Sequence, residues 1–342
     1  MSQQGKLLID GIDAFTEYGV SVARYGLKQV IQMPAFKKVD TTEWPDENGS
    51  EVDLTSPVLD TRTLQIDFNI NNVRYAEDLF DELSQNSYHT FYFADLKKTY
   101  RLRLTQNGKF SSLIKLGTLT LTFADDFPEV PSTGNYYQLG TNEVREVGYE
   151  IDGLDFSQFG AWVLKDTDNN IRKAANVREN LKVSTKDAAG VIYDGTQSYF
   201  KTKDVQVKLL IDAPDIDVFW RRWNALYNVL LQPESRVLYF NELGTEYDCY
   251  YKSCSVSKFD ILPNGKVWCE FSVTLTFIDY RPTGQYMLLA HEDFDLVEVL
   301  VDGVATLIRI RPKRGISILA HERGQYVIVD LNGDDTTIYI NN

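Results

Sequence analysis

Thiols, imidazoles and clustered cations are all scarce in this chain of 342 residues, and each shortage closes off a class of function. The three cysteines, Cys249, Cys254 and Cys269, share one stretch but lack the CxxC spacing of a zinc or redox site. They are expected as small buried strand residues of a protein kept in a reducing compartment. The three histidines are His89, His291 and His321. The last two sit in Leu-Ala-His-Glu contexts, with no second His four residues on to make a zinc-protease pair. Lys and Arg number 35 against 49 Asp and Glu, a net charge of −14, and no basic patch offsets it. A general nucleic-acid binder is thereby excluded, because phosphates repel such a surface. No apolar run approaches the roughly 18 residues of a membrane helix, and MSQQGKLLIDGIDAF does not open like a leader, so a soluble chain is expected.

Catalytic signatures are equally thin. There is no GxSxG, no phosphate-cradling GxxxxGK[ST] and no GxGxxG after a strand. Asp166, Asp168 and Asn170 imitate the start of a calcium loop, but Ile171 replaces the required Gly and Val177 the bidentate Glu. The adjacent pairs Asp125-Asp126 and Asp334-Asp335 are expected as solvated turns rather than as an acid and base. No catalytic, cofactor or metal residue is therefore assigned.

What the chain does have is apolar mass: 43% hydrophobic residues, including 18 Phe, 20 Tyr and 5 Trp. That is a globular composition, long enough for two or three domains. The aromatics at Tyr88 to Phe93, Tyr136-Tyr137 and Tyr247 to Tyr251 alternate as strand residues do and are expected in cores and interfaces.

The chain also repeats itself. Ile9-Asp10-Gly11 recurs as Ile151-Asp152-Gly153, Leu64-Gln65-Ile66 as Val205-Gln206-Val207, and Phe91-Tyr92-Phe93 as Leu238-Tyr239-Phe240. Leu119 to Phe123 is matched with Val273 to Phe277. Each copy runs in one order: an Asp-Gly turn signal, an alternating strand, one amphipathic helix and closing strands. The helices are marked by Val73, Ala76, Leu79, Phe80 and Leu83, after Asn71 or Asn72 as a cap, and by Ile216, Phe219, Trp220, Trp223, Leu226, Tyr227 and Leu230, after Pro214 and Asp215. The closing strands are Tyr92 to Leu104 and Thr118 to Phe123 in the first copy, and Val237 to Tyr251 and Val267 to Phe277 in the second. The expected fold is mainly β, with α+β units. It divides into residues 1–127, a linker or arm 128–147, residues 148–282, and a small β module 283–342 with hairpins around Asp302-Gly303 and Asn332-Gly333.

The opening pattern, an apolar residue, Ile-Asp-Gly, an Asp, then aromatics ahead of a Gly, resembles the start of bacteriophage distal tail proteins and their tail-tube-like relatives. It occurs as Ile9 to Gly19 and as Ile151 to Gly160. The resemblance spans roughly residues 6–127 and 148–282 and implies two tandem tail-tube-like β-sandwich or barrel domains, as in baseplate hub proteins. It further implies a non-enzymatic tail component of the virion, assembled in the host bacterial cytoplasm. Such a component would sit in a closed ring as a hexamer, or as a trimer imitating one. Its partners would be the tail tube protein and tip, hub or receptor-binding proteins, with DNA only in passage and no membrane insertion. Segments 39–60 and 128–147 are read either as arms reaching adjacent subunits or as ordinary surface loops. Two other classes stay open: a carbohydrate-binding or adhesin-type β protein, given the strand tyrosines, and a hydrolase, which would require carboxylates convergent on one pocket.

Overall fold

A computed structural model describes residues 3–44, 47–71, 73–113, 116–131, 145–180, 182–187, 189–193, 198–242 and 245–279, and the backbone of short strands beyond them. Side chains of 73–76, 107–110 and 112–113 lie outside the description. The expected mainly β fold is what forms, as curled antiparallel sheets.

The first sheet comprises β1 (Leu7–Ile9), β2 (Ile12–Asp13), β3 (Val20–Val22), β6 (Arg62–Ile70), β7 (His89–Phe93), β8 (Lys98–Leu113) and β9 (Leu116–Asp125), with β4 (Thr41–Thr42) and β5 (Glu51–Val52) paired apart from it. Its order is β2-β1-β7-β8-β9-β6-β3. The second comprises β10 (Tyr149–Ile151), β11 (Leu154–Asp155), β12 (Ala161–Val163), β15 (Lys203–Ala213), β16 (Arg236–Phe240), β17 (Thr245–Ile261) and β18 (Val267–Phe277), with β13 (Lys182–Val183) and β14 (Ile192–Tyr193) apart. Its order, β11-β10-β16-β17-β18-β15-β12, is the same strand for strand.

Strand alternation places the core. On β6, Leu64, Ile66, Phe68 and Ile70 are buried while Thr63, Gln65, Asp67 and Asn69 between them are exposed. The outermost strands β2 and β3 are consecutive in the chain, joined by the short helix α1 (Ala14–Tyr18). A flat sheet of seven strands would hold them about 29 Å apart, whereas a five-residue helix advances only about 7.5 Å. The sheet must roll up, and α1 spans its seam. A 3-10 turn, Phe156–Phe159, does the same for the second sheet.

The expected helices are α2 (Val73–Gln85) and α4 (Ile216–Leu230). Asp215 caps α4, accepting from the amides of Asp217 and Val218. Asn71 meets the carbonyl of Gly19, and Asn72 lies outside the described residues. Besides α1, a further short helix forms, α3 (Thr167–Arg172); both are too brief to leave an amphipathic period in the sequence. The closing strands expected to run unbroken through Tyr92–Leu104 and Val237–Tyr251 are each split in two, the first by a turn at 94–97 where Lys97 takes φ 51°.

Ladder register also corrects one repeat match. Leu64 pairs with Phe123 and Val205 with Leu275, so Phe123 corresponds to Leu275, and the Leu119–Phe123 match shifts by two residues. A slip of two leaves the alternation intact, because it preserves the face of a strand. Both long strands bulge at the matching point, after Leu104 opposite Phe123 and after Tyr251 opposite Leu275.

Toward the C-terminus, β19 (Met287–Leu288) pairs with β22 (Arg309–Ile310), and β20 (Glu298–Val301) with β21 (Val304–Leu307). Strands β23 (Ile316–Ala320), β24 (Tyr326–Asp330) and β25 (Asp335–Ile338) form a three-stranded sheet. The hairpins therefore fall where the two turn signals put them, although Asp302-Gly303 and Asn332-Gly333 are outside the described residues. No described helix is long and apolar enough to cross a membrane.

Candidate functional site

The repeated motif builds one device twice. Asp10 and Gly11 take φ 49° and 85°, and Asp152 and Gly153 take 50° and 76°, the left-handed pair that a two-residue hairpin turn needs. Asp10 Oδ1 accepts from the Thr90 amide at 2.7 Å and Asp152 Oδ1 from the Val237 amide at 2.8 Å, clamping each hairpin to the neighbouring strand. The second carboxylate oxygen meets a cation-capable side chain: His89 Nδ1 at 2.6 Å in the first sheet, Arg236 Nη1 at 2.6 Å in the second. Those two side chains also reach matching carbonyls, Asn86 from His89 Nε2 at 3.2 Å and Pro233 from Arg236. The motif's second aspartate caps the next turn of chain: Asp13 accepts from Phe15 and Thr16, and Asp155 from Ser157, Val147 and Gly148. Gly19 and Gly160 then end that turn with φ 62° and 63°. At Gly160 a Cβ would meet Arg222 Nε at 2.6 Å.

Glu82 joins Asp10 and His89, so that one potential ligand atom from each falls within 4.8 Å of the others. Nothing in the sequence marked this trio, since its members come from a turn, a helix and a strand. Both ring nitrogens of His89 already face oxygen acceptors, and Arg236 fills the same role in the second sheet, so the trio is a structural clamp and a poor match for a cation.

A second feature joins the halves. The segment between β3 and β6 leaves its own sheet and straps across the second. Arg62 Nη1 holds its base through the carbonyls of Val30 and Gln32, at 2.9 and 2.6 Å. Further along, the hydroxyls of Tyr227 and Tyr251, both buried, donate to the Pro34 carbonyl at 3.0 Å. The Gly49 amide donates to the Phe200 carbonyl at 2.7 Å, Phe200 N to Asn48 Oδ1 at 2.8 Å, and Glu234 N to the Leu54 carbonyl at 2.8 Å. Arg178 reaches Glu43 and the Gly49 carbonyl. The segment expected as an arm for a neighbouring subunit is thus spent within its own chain. Glu129, Val130 and Pro131 line a crevice beside α4, and 132–144 lie outside the described residues.

The remaining candidates disperse. Cys249, Cys254 and Cys269 are free and buried; burial pushes all three thiols up, Cys254 to about 12. Asp166 and Asp168 stand at α3, the former bonded to Lys208 and the latter beside Arg172. Asp125 is not a solvated turn residue: β9 continues through it and sets it opposite Arg62, 2.7 Å away, with 4% of its surface exposed. Asp126 turns to Arg103 and Tyr88, and the Arg103 hydrogen bond holds its carboxyl below the usual range. Phe91 and Phe93 are core, and Tyr247 stacks on Phe277. Tyr136, Tyr137, His291, His321 and Asp334 lie outside the described residues, as do the side chains of 335–338. A crevice of about 630 Å³ lies between the strap's β4–β5 hairpin and the second sheet, lined by Thr41, Glu43, Tyr250 and Lys252.

No protein-family model matches the chain, and no curated protein does. Among solved structures the chain is similar to the Dit (gp 19.1) protein of phage SPP1, described as a paradigm of the hub adsorption apparatus in phages infecting Gram-positive bacteria. The identity is 12% and the TM-score 0.29, over 80% of this chain and 98% of that one. A likeness that slight carries no argument about this chain.

Proposed function

We propose that this chain is a structural, ring-forming component of a bacteriophage tail, at the level of the distal tail or baseplate hub, that joins the tail tube to the tip and leaves a channel for DNA. The observation that carries the reading is the pair of rolled sheets of identical strand order, each opened by the same Asp-Gly clamp at the motif that resembles the tail family. On this reading residues 1–127 and 148–282 are tandem copies of one unit, 128–147 connects them, and 283–342 is an appended β module. The role is assembly and conduction without turnover. The pair Asp125-Asp126 is consistent with it, because its carboxylates are spent on Arg62 and Arg103. The partners are further copies of the chain, the tail tube protein and tip proteins. The location is the virion tail, after assembly in the host cytoplasm.

A net charge of −14 suits a channel wall that DNA must not adhere to. The outward faces of β6 and β15 supply suitable residues: Thr63, Gln65, Asp67 and Asn69 on one, Asp204 and Gln206 on the other. Electron microscopy of the purified chain, alone and with tail partners, tests the proposal. Closed rings with an open centre are expected. Persistent monomers under both conditions would overturn it, and a lumen walled by Lys and Arg would overturn its account of DNA passage.

A further inference from the structure

The loop from β3 to β6 and the loop from β12 to β15 repeat one another at a constant displacement along the chain. The bridge Phe36↔Leu59 recurs as Val177↔Phe200. Thr41↔Val52 and Thr42↔Glu51 recur as Lys182↔Tyr193 and Val183↔Ile192. Left-handed Gly49 recurs as left-handed Gly190.

Their surroundings differ. The first loop is docked on the second sheet, and Ser50 at its tip is 9% exposed. Val191, the counterpart of Ser50, is 53% exposed, and Ile192 beside it 74%. The docking faces differ in the same sense. Helix α4, which lies against the first loop, is buried on both sides through Trp223, Tyr227 and Asn228. Counting back from the paired strands β7 and β16, Leu79 and Leu83 match Leu226 and Leu230, so Phe80 matches Tyr227 and Glu77 matches Asn224. On α2 those outward positions are open: Glu77 and Asp81 are exposed and Phe80 is half-buried.

Charge completes the correspondence. Gln32 and Asn224 line one crevice where the first loop meets α4. Their counterparts are Lys173 and Glu77, a cation and a carboxylate, both exposed. We propose that the loop of residues 173–200 docks on the α2–β8 face of a second copy of this chain, repeating between chains the contact that residues 32–59 make within one. Each chain then offers one loop and one face, a head-to-tail contact that propagates until a ring closes. Burial of Val191, whose counterpart Ser50 is covered in the docked first loop, drives it, and Lys173 with Glu77 sets which face is chosen.

The contact rests on the ring proposed above only in that both require a second copy. Phe200 N bonds Asn48 within the chain, and the counterparts of these residues are Leu59 and Ala189. A chain carrying Leu59→Cys and Ala189→Cys is therefore expected to give a ladder of interchain disulfides under mild oxidation, while either single variant gives none; the three native thiols are buried. Sedimentation of Val191→Asp should show self-association weakened about tenfold or more, with circular dichroism unchanged. Lys173→Glu should weaken it too, and adding Glu77→Lys should restore it. Monomers at every concentration with no cross-link would overturn the proposal. Rings without the 59–189 cross-link would overturn this contact and leave the ring standing.

Discussion

Arg62 and Lys203 occupy the same place in the two sheets and show how one residue pair sets local electrostatics. Each supports a backbone carbonyl at the base of its loop, Arg62 that of Val30 and Lys203 that of Ile171, at 2.9 and 2.5 Å. Across the ladder Arg62 faces Asp125, whereas Lys203 faces Phe277, its ammonium 5.6 Å from the ring. Burial, with Lys173 adding repulsion, accordingly lowers the Lys203 ammonium to about 8. A lysine depressed in the folded state binds fewer protons there than in the unfolded chain, so it costs stability below about pH 8 and releases that cost as pH rises toward its unfolded value. Urea titrations should show wild type gaining on Lys203→Met by about 1–3 kcal/mol between pH 8 and 10.5; a constant gap would refute the account. The buried thiols give a second expectation. Ellman's reagent at pH 8 should find no reactive cysteine in the folded chain and three after unfolding. At this scale the sequence was only half legible. Asp10 and Asp152 announced turns through the Gly next to each, but their partners lie 79 and 84 residues away and no local pattern points to them.

Among the elements, the alternating strands and the two long helices could be read because burial of one face imposes a period. The short pieces could not. The helix α1, the 3-10 turn at Phe156–Phe159 and the hairpin β4–β5 are held by caps and by contacts distant in sequence, which leave no periodic trace. The strap belongs to this class. At its tip Gly49 lies so near the second sheet that a Cβ would stand 1.8 Å from the Ile278 carbonyl oxygen, and its φ is 71°. Gly49→Ala is expected to cost about 2–3 kcal/mol and to open the strap to limited proteolysis between residues 40 and 54. Tyr251→Phe keeps the ring in place but removes the hydroxyl from the carbonyls of Met33 and Pro34. A loss of about 1 kcal/mol is expected in denaturant unfolding; no loss would mean that water serves those carbonyls equally well.

For the whole molecule, the strap makes the two sheets dependent on one another. Buried side chains run contiguously from one sheet through the strap to the other. Chemical unfolding of the two sheets is therefore expected as one transition, coincident by circular dichroism and by fluorescence of Trp220, Trp223 and Trp268. Two separated transitions would show that the strap adds little. The order of the strands and of the two long helices was legible in the sequence because it is written in spacing. The destination of the strap was not, since an acidic, Pro-containing segment looks the same whether it crosses to its own chain or to a neighbour's.

The strap also carries a consequence for how the chain is made. Its carbonyl at Pro34 is synthesised 193 and 217 residues ahead of the two tyrosines that receive it. At ordinary elongation rates that is roughly ten to forty seconds, during which residues 30–54 have emerged from the ribosome with nowhere to dock. The first sheet can roll up in that interval, but its loop is settled only once β17 has been translated. A chain truncated before then lacks the partners of the Pro34 carbonyl and is expected to keep residues 30–54 open to limited proteolysis.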